Sequence, residues 1–264
     1  MSYATLAPLL VLTAVTQLYG LATAIGVRGA QVDLFYAPFT RRRFYLLMGW
    51  APLTFAALAV VVDRRYLAFF VVAGVAGIVG ELLLSVLWRT FFREPIWTYT
   101  YGARASGFTS TLNFLPWAIG GLLFQVAGRL VHPEHTAPLR PMVISLVAFA
   151  IAFPLAWTLR AGTRPADGGF SRSALVLFCL PIAATATALA LLCDPLYVAL
   201  MGLFAIVGST TEYAYGRTMS SLFEQSLWSY NHGQIDGGHT SYVTLPLWAL
   251  GGLYFHFLAA CVGL

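Results

Sequence analysis

The chain has 264 residues, 59% of them hydrophobic and only 9% charged, with a formal net charge of +5 and a mean hydropathy of +0.77. Soluble domains carry about 25% charged residues, so this composition excludes a soluble globular protein and fits a polytopic membrane protein. All fifteen basic residues are Arg; they fall in short segments between apolar runs, which points to membrane orientation rather than nucleic-acid binding.

A spanning helix needs about 20 mostly apolar residues. Eight segments qualify: 5–27, 45–62, 67–88, 111–127, 141–159, 174–193, 196–220 and 243–263. The first has neither a basic leader nor a small-residue cleavage site, so it reads as a retained helix and not a signal peptide.

Segments 81–124 and 212–255 align without a gap at an offset of 131 residues. Glu81/Glu212, Phe92/Phe223, Trp97/Trp228, Tyr99/Tyr230, Gly107/Gly238, Thr109/Thr240, Ser110/Ser241 and Trp117/Trp248 are identical pairs, and Asp63/Asp194, Tyr66/Tyr197 and Gly77/Gly208 extend the register upstream. Apolar composition does not align Glu, Asp, Trp, Thr and Ser at one offset by accident, so an internal duplication is expected. The expected fold is all-α: eight transmembrane helices in two four-helix repeats, 1–131 and 132–264, forming one integrated membrane domain. Four spans per repeat give both repeats the same polarity, hence parallel repeats about an axis along the membrane normal.

Orientation follows from arginine. One set of loops holds Arg28, Arg41, Arg42, Arg43, Arg89, Arg93, Arg104, Arg160, Arg164, Arg172 and Arg217, and the opposite set only Arg64, Arg65, Arg129 and Arg140. The positive-inside rule puts the richer set in the cytoplasm and both termini outside, in a cytoplasmic (inner) membrane. On the outer side the turns at Asp63 and Asp194 are tight, and each Asp suits the cap of the following helix. His132 and His135 fall in an outer loop with no partner signal.

The cytoplasmic loops 92–110 and 223–241 are rich in Trp, Tyr, Gly and polar residues. Pro95 and the glycines argue against continuous helix, while Trp97, Tyr99, Tyr101, Trp228 and Tyr230 suit the headgroup level. Thr109-Ser110 and Thr240-Ser241 stand where helices begin and are expected to cap them. Gly120-Gly121 and Gly251-Gly252 permit close helix contact.

Glu81 and Glu212 each lie about 15 residues into a span, roughly 22 Å deep at about 1.5 Å per residue. An ionised carboxylate facing lipid there is costly, so both are expected to face the bundle interior, and an intramembrane acid is a functional candidate by default. The structural alternative is an acid hydrogen-bonded to a neighbouring helix or to the aromatic loop. The second loop adds Asn231, His232, Gln234, Asp236 and His239, which the first lacks. Two His and one Asp can ligate metal or act in acid–base chemistry, but their spacing matches no metal motif and a merely polar loop explains them too. His256, inside the last span, reads as a satisfied interior histidine. Cys179, Cys193 and Cys261 are scattered in apolar segments and read as small buried residues. No phosphate-binding loop, nucleophile elbow, HExxH or dinucleotide fingerprint occurs, and neither cofactor nor metal is expected.

One pattern occurs twice: Glu81, Trp97-x-Tyr99, Gly107, Pro116-Trp117 and Gly120, then Glu212, Trp228-x-Tyr230, Gly238, Trp248 and Gly251. It resembles a small membrane family described as type IV ABC-transporter proteins, with eukaryotic transmembrane relatives. The likeness covers about a third of the chain, and Pro246 stands one residue out of register with Pro116. The resemblance implies transport; without a nucleotide-binding domain here, any ATPase would be a separate chain. Three functions are thus open: a transport or permease-like protein with a site at the repeat interface, an intramembrane enzyme acting on a lipid or isoprenoid, and a structural subunit of a complex. Substrate contacts are expected from Glu81, Glu212, Trp97, Tyr99, Asn113, Trp228, Tyr230 and Asp236. In an enzyme, Glu212 and Glu81 would be the general acid and base, with His232 and His239 assisting. The expected partners are the lipid bilayer and a separate membrane or ATPase subunit, with no nucleic acid. An accessible cavity, a blind pocket open to lipid and a packed interior would separate the three.

Overall fold

A computed structural model describes residues 3–30, 38–101, 103–104, 107–131, 138–163 and 170–264; the expectations for His132, His135 and Arg164 lie outside these. The described chain is mostly helical: α1 (Tyr3–Ala30), α2 (Arg41–Leu47), α3 (Trp50–Val61), α4 (Arg65–Phe92), α5 (Phe114–Val131), α6 (Leu139–Leu159), α7 (Arg172–Leu192), α8 (Leu196–Phe223) and α9 (Leu245–Cys261). With α2 and α3 taken as one stretch, eight helical segments are long and apolar enough to cross a membrane, as in a multi-pass membrane protein.

The second apolar run is not the continuous helix its hydropathy predicts. Helix α2 stops at Leu47 and α3 restarts at Trp50. Pro52 explains the break, because its ring opposes the carbonyl four residues back, at Met48, and it has no N–H to offer. Tyr19 of α1 covers the gap: its hydroxyl donates to the Leu46 carbonyl. Gly49 leaves room for that phenol, since a Cβ there would meet the Tyr19 ring.

Several local features recur at the 131-residue offset. Asp63 Oδ1 accepts from Arg65 N–H and Asp194 Oδ1 from Leu196 N–H, each at 2.8 Å, as expected for acids opening α4 and α8. Both long helices end on a left-handed residue, Arg93 (φ 64°) and Glu224 (φ 55°), which turns the chain back under the bundle. Arg160, beyond α6, secures the end of α4. Its Nη1 donates to Thr90 O at 2.7 Å and to Phe91 O, and its guanidinium lies 3.3 Å over the Trp157 ring.

The aromatic loops correct the all-α expectation. They carry short antiparallel strands that no periodicity could reveal at two or three residues each. Strand β1 (Trp97–Tyr99) pairs with β4 (Trp228–Tyr230), and the register sets Thr98 opposite Ser229. Thr100 N–H to Leu227 O (3.0 Å) and Asn231 N–H to Ile96 O (2.9 Å) extend the ladder at both ends. Within each loop a hairpin forms: β2 (Ala103–Arg104) on β3 (Thr109–Ser110), and β5 (Gln234–Ile235) on β6 (Thr240–Ser241). Gly107 (φ 84°) and Gly238 (φ 82°) occupy equivalent left-handed positions that a side chain would strain.

At the centre, α5 packs on α4, α8 and α9. Of each glycine pair, the second residue makes the close contact. A Cβ on Gly121 would meet Ala73 and Phe255, and one on Gly252 would meet Phe204 and Phe124. Phe124 and Phe255 stack at 5.8 Å between ring centroids, and Trp117 lies 5.5 Å from Trp248.

Candidate functional site

Glu81 projects from α4 into the interior, where only 4% of its surface is exposed. The chain folds back through β3 and a short 3-10 turn so that the start of α5 meets it. Thr109 Oγ1 donates to Oε2 (2.8 Å), Trp117 Nε1 donates to Oε2 (3.1 Å), and Asn113 Nδ2 lies 3.1 Å from both oxygens. Glu212 on α8 receives the equivalent pair, Thr240 Oγ1 (2.6 Å) and Trp248 Nε1 (3.2 Å), both on Oε2. Its other oxygen accepts from the Tyr230 hydroxyl.

The third donor differs because the sequence differs. Asn113 has Thr244 at its 131-offset position, and Thr244 instead donates to Ser241 O at 2.7 Å. With no amide there, Tyr230 reaches Glu212 directly. In the first half, Asn113 stands between: Nδ2 also donates to Tyr99 OH (2.7 Å), and Oδ1 accepts from Tyr101 OH (2.9 Å). Burial first, then the charge of Glu212, pushes the Tyr230 phenol well above its ordinary range. Burial and then the charge of Glu81 do the same to Tyr101. Both rings therefore remain hydrogen-bond donors at any physiological pH.

The two carboxylates line one cavity of about 910 Å³. Its walls come from both halves: Ala76, Gly77, Gly80 and Leu84 of α4, Thr211, Ala214, Tyr215 and Met219 of α8, Trp117 and Phe124 of α5, and Trp248 and Phe255 of α9. Gly120 and Gly251, the first member of each glycine pair, also face it, and no atom lies within 4 Å of where their Cβ would be. They leave the space open where Gly121 and Gly252 close a helix contact. Apart from Glu81, Glu212, Asn113 and a few threonines, the lining is apolar or aromatic.

Of the residues expected to contact substrate, Glu81, Glu212, Trp97, Tyr99, Asn113, Trp228 and Tyr230 all line this cavity. Asp236 does not. It is exposed, at φ 41°, and takes Arg217 Nη1 and Tyr213 OH, each at 2.6 Å. The Tyr213 hydroxyl, helped by Arg217, holds its carboxyl below the usual carboxylate range. His232 and His239 are also outside the lining. His232 lies flat on Phe170 (4.5 Å, 11°), with Nε2 3.4 Å from Glu94 Oε1. Its burial pushes the imidazole pKa below the ordinary value, against the opposing pull of Glu94. His239 packs its Cβ against Gly216 and its ring beside Tyr213. His256 faces α5, where a Cβ on Gly128 would collide with its imidazole. Among the described residues, no three His, Cys, Asp or Glu side chains gather as a metal site.

Of the Thr109-Ser110 and Thr240-Ser241 pairs expected to cap helices, the serines do so, their Oγ atoms accepting from Leu112 N–H (3.3 Å) and Val243 N–H (3.2 Å), while the threonines serve the carboxylates. Trp117 and Trp248 were missed as carboxylate partners. Their signal was available, since each is identical at the same offset as the acid it binds. Comparison with known proteins adds no assignment: no family model, curated protein or solved structure matches the chain.

Proposed function

We propose that the chain is an integral membrane transport protein, permease-like, with its binding site in the central cavity between two parallel four-helix repeats. One observation carries this reading: both carboxylates, at equivalent positions of the duplication, line a single large cavity walled by both halves. Twofold organisation is supported by contacts between positions that are equivalent to each other. Thr98 pairs with Ser229, Trp117 meets Trp248 and Phe124 meets Phe255, and such self-equivalent contacts arise at a twofold axis. Exposed Val60 (87%), Leu191 (79%) and Ile151 (70%) suit lipid contact. The excess of arginine beside the strand-bearing loops supports their cytoplasmic placement.

The competing readings have less support. An intramembrane enzyme loses its histidines, because neither His232 nor His239 reaches the acids. A purely structural subunit has no use for a half-open cavity of about 910 Å³ lined by two acids.

Cysteine accessibility tests the proposal. Gly120→Cys places a thiol in open cavity space, in a background where Cys179, Cys193 and Cys261 are replaced by Ser. A transporter cavity opens alternately, so a membrane-impermeant thiol reagent should label it from either side of sealed vesicles. Labelling from one side only, or only by a membrane-soluble reagent, would overturn transport.

A further inference from the structure

We infer that the cavity binds a bulky lipophilic organic cation, such as a tertiary or quaternary ammonium carrying apolar groups. The inference deepens the proposed function and rests on it for movement of the ligand, though not for its binding. The argument begins with charge. Glu81 and Glu212 are the cavity's acids, and no Arg, Lys or His occurs among its described lining residues. The donors on each acid, Thr109, Asn113 and Trp117 on one and Thr240, Tyr230 and Trp248 on the other, are all neutral. Among the described residues, then, none supplies a positive charge to balance an ionised pair, and an entering cation would supply it.

The rest of the wall selects the kind of cation. Trp117, Trp248, Tyr99 and Tyr230 line the cavity with the two acids, and indole and phenol faces attract organic cations most strongly where water is excluded. A metal ion needs several oxygen ligands converging on one point in place of its water, and among the described residues no three His, Cys, Asp or Glu side chains gather in that way. An amphiphile with a phosphate would set an anion against two carboxylates with no basic residue among the described lining to receive it. A volume of about 910 Å³ lies near the upper end of drug-sized pockets, so the cation carries substantial apolar bulk.

The test uses tetraphenylphosphonium and tetraphenylborate, ions of similar shape and opposite charge, on the full chain in uncharged-lipid nanodiscs, with empty nanodiscs subtracted. Tryptophan quenching should show the phosphonium binding at least about tenfold more tightly than the borate. The Glu81→Gln/Glu212→Gln double variant should bring that ratio close to one. A ratio of one or less in the unaltered protein overturns the inference whether or not the variant folds; an unchanged ratio in the folded variant overturns it as well. Hexadecyltrimethylammonium should displace the phosphonium and hexadecylphosphocholine should not; equal displacement would overturn the choice of a free cation over a phospholipid headgroup. The two readings fail separately. Two-sided Gly120→Cys labelling without charge preference removes the cation and leaves transport. Charge preference with one-sided labelling removes transport and leaves a cation site.

Discussion

A single methyl group tests how the acids are held. Gly77 and Gly80 both lie in α4 and both line the cavity, yet they differ in what faces them. A Cβ on Gly77 would fall into the Trp117 ring, with Cδ2 2.6 Å away, whereas nothing lies within 4 Å of a Cβ on Gly80. Gly→Ala in a helix interior gains about 1 kcal/mol of propensity at either position, so the difference between the two variants isolates the packing. Overfilling a packed site costs about 1–3 kcal/mol. If Trp117 swings away, Glu81 also loses its indole N–H, worth about 0.5–3 kcal/mol. Gly77→Ala should therefore be less stable than Gly80→Ala by about 1–3 kcal/mol, rising to about 6 kcal/mol if the hydrogen bond goes too. Gly208→Ala, whose Cβ would lie 2.6 Å from Trp248 Cδ2, should behave like Gly77→Ala. Unfolding titrations in mixed SDS–detergent micelles give the numbers. If Gly77→Ala and Gly80→Ala agree to within about 0.5 kcal/mol, the ordinary scatter of surface substitutions, Trp117 is not locked against α4 and the account of the acid's coordination is wrong.

Two further outcomes follow from the loops. Thr98 and Ser229 are direct partners across β1 and β4, and cross-strand Cα spacings of about 5.5 Å lie within disulfide reach. Thr98→Cys/Ser229→Cys, in the cysteine-replaced background, should oxidise to a bond that holds the two halves together on a non-reducing gel after cleavage between α6 and α7; two separate fragments would refute the pairing. His232 should make the fold acid-sensitive. Because burial lowers its pKa in the folded chain, its stabilising contribution is fully present above the unfolded value of about 6.5 and is lost as pH falls through the lower folded value. His232→Phe keeps the stack on Phe170 and should flatten the stability profile below about pH 6.5; an unaltered profile would show that other groups set the acid limit.

Sequence alone determined the number of apolar spans, because lipid demands about 20 apolar residues wherever a helix crosses. It also carried the ungapped alignment of segments 81–124 and 212–255, and it marked the two acids, since Glu within an apolar run is costly enough to stand out. The aromatic residues flanking those acids were legible as well: Trp97, Tyr99, Trp228 and Tyr230 all reach the cavity. Tertiary structure decided what could not be read along one segment. Two- and three-residue strands carry no periodic signal, so only the meeting of two loops 131 residues apart reveals β1 on β4. Thr109 looks like a cap beside Ser110, and only the fold shows that its hydroxyl is spent on Glu81. His232, His239 and Asp236 looked like a site because they are close in sequence. The fold sets His232 apart against Phe170, gathers Asp236 and His239 around Tyr213 with Arg217, and leaves all three outside the cavity that the acids line. Hydropathy and repeat identity are properties of one stretch or of two aligned stretches. Hydrogen-bond partners and cavity walls belong to several elements at once, and packing assigns them.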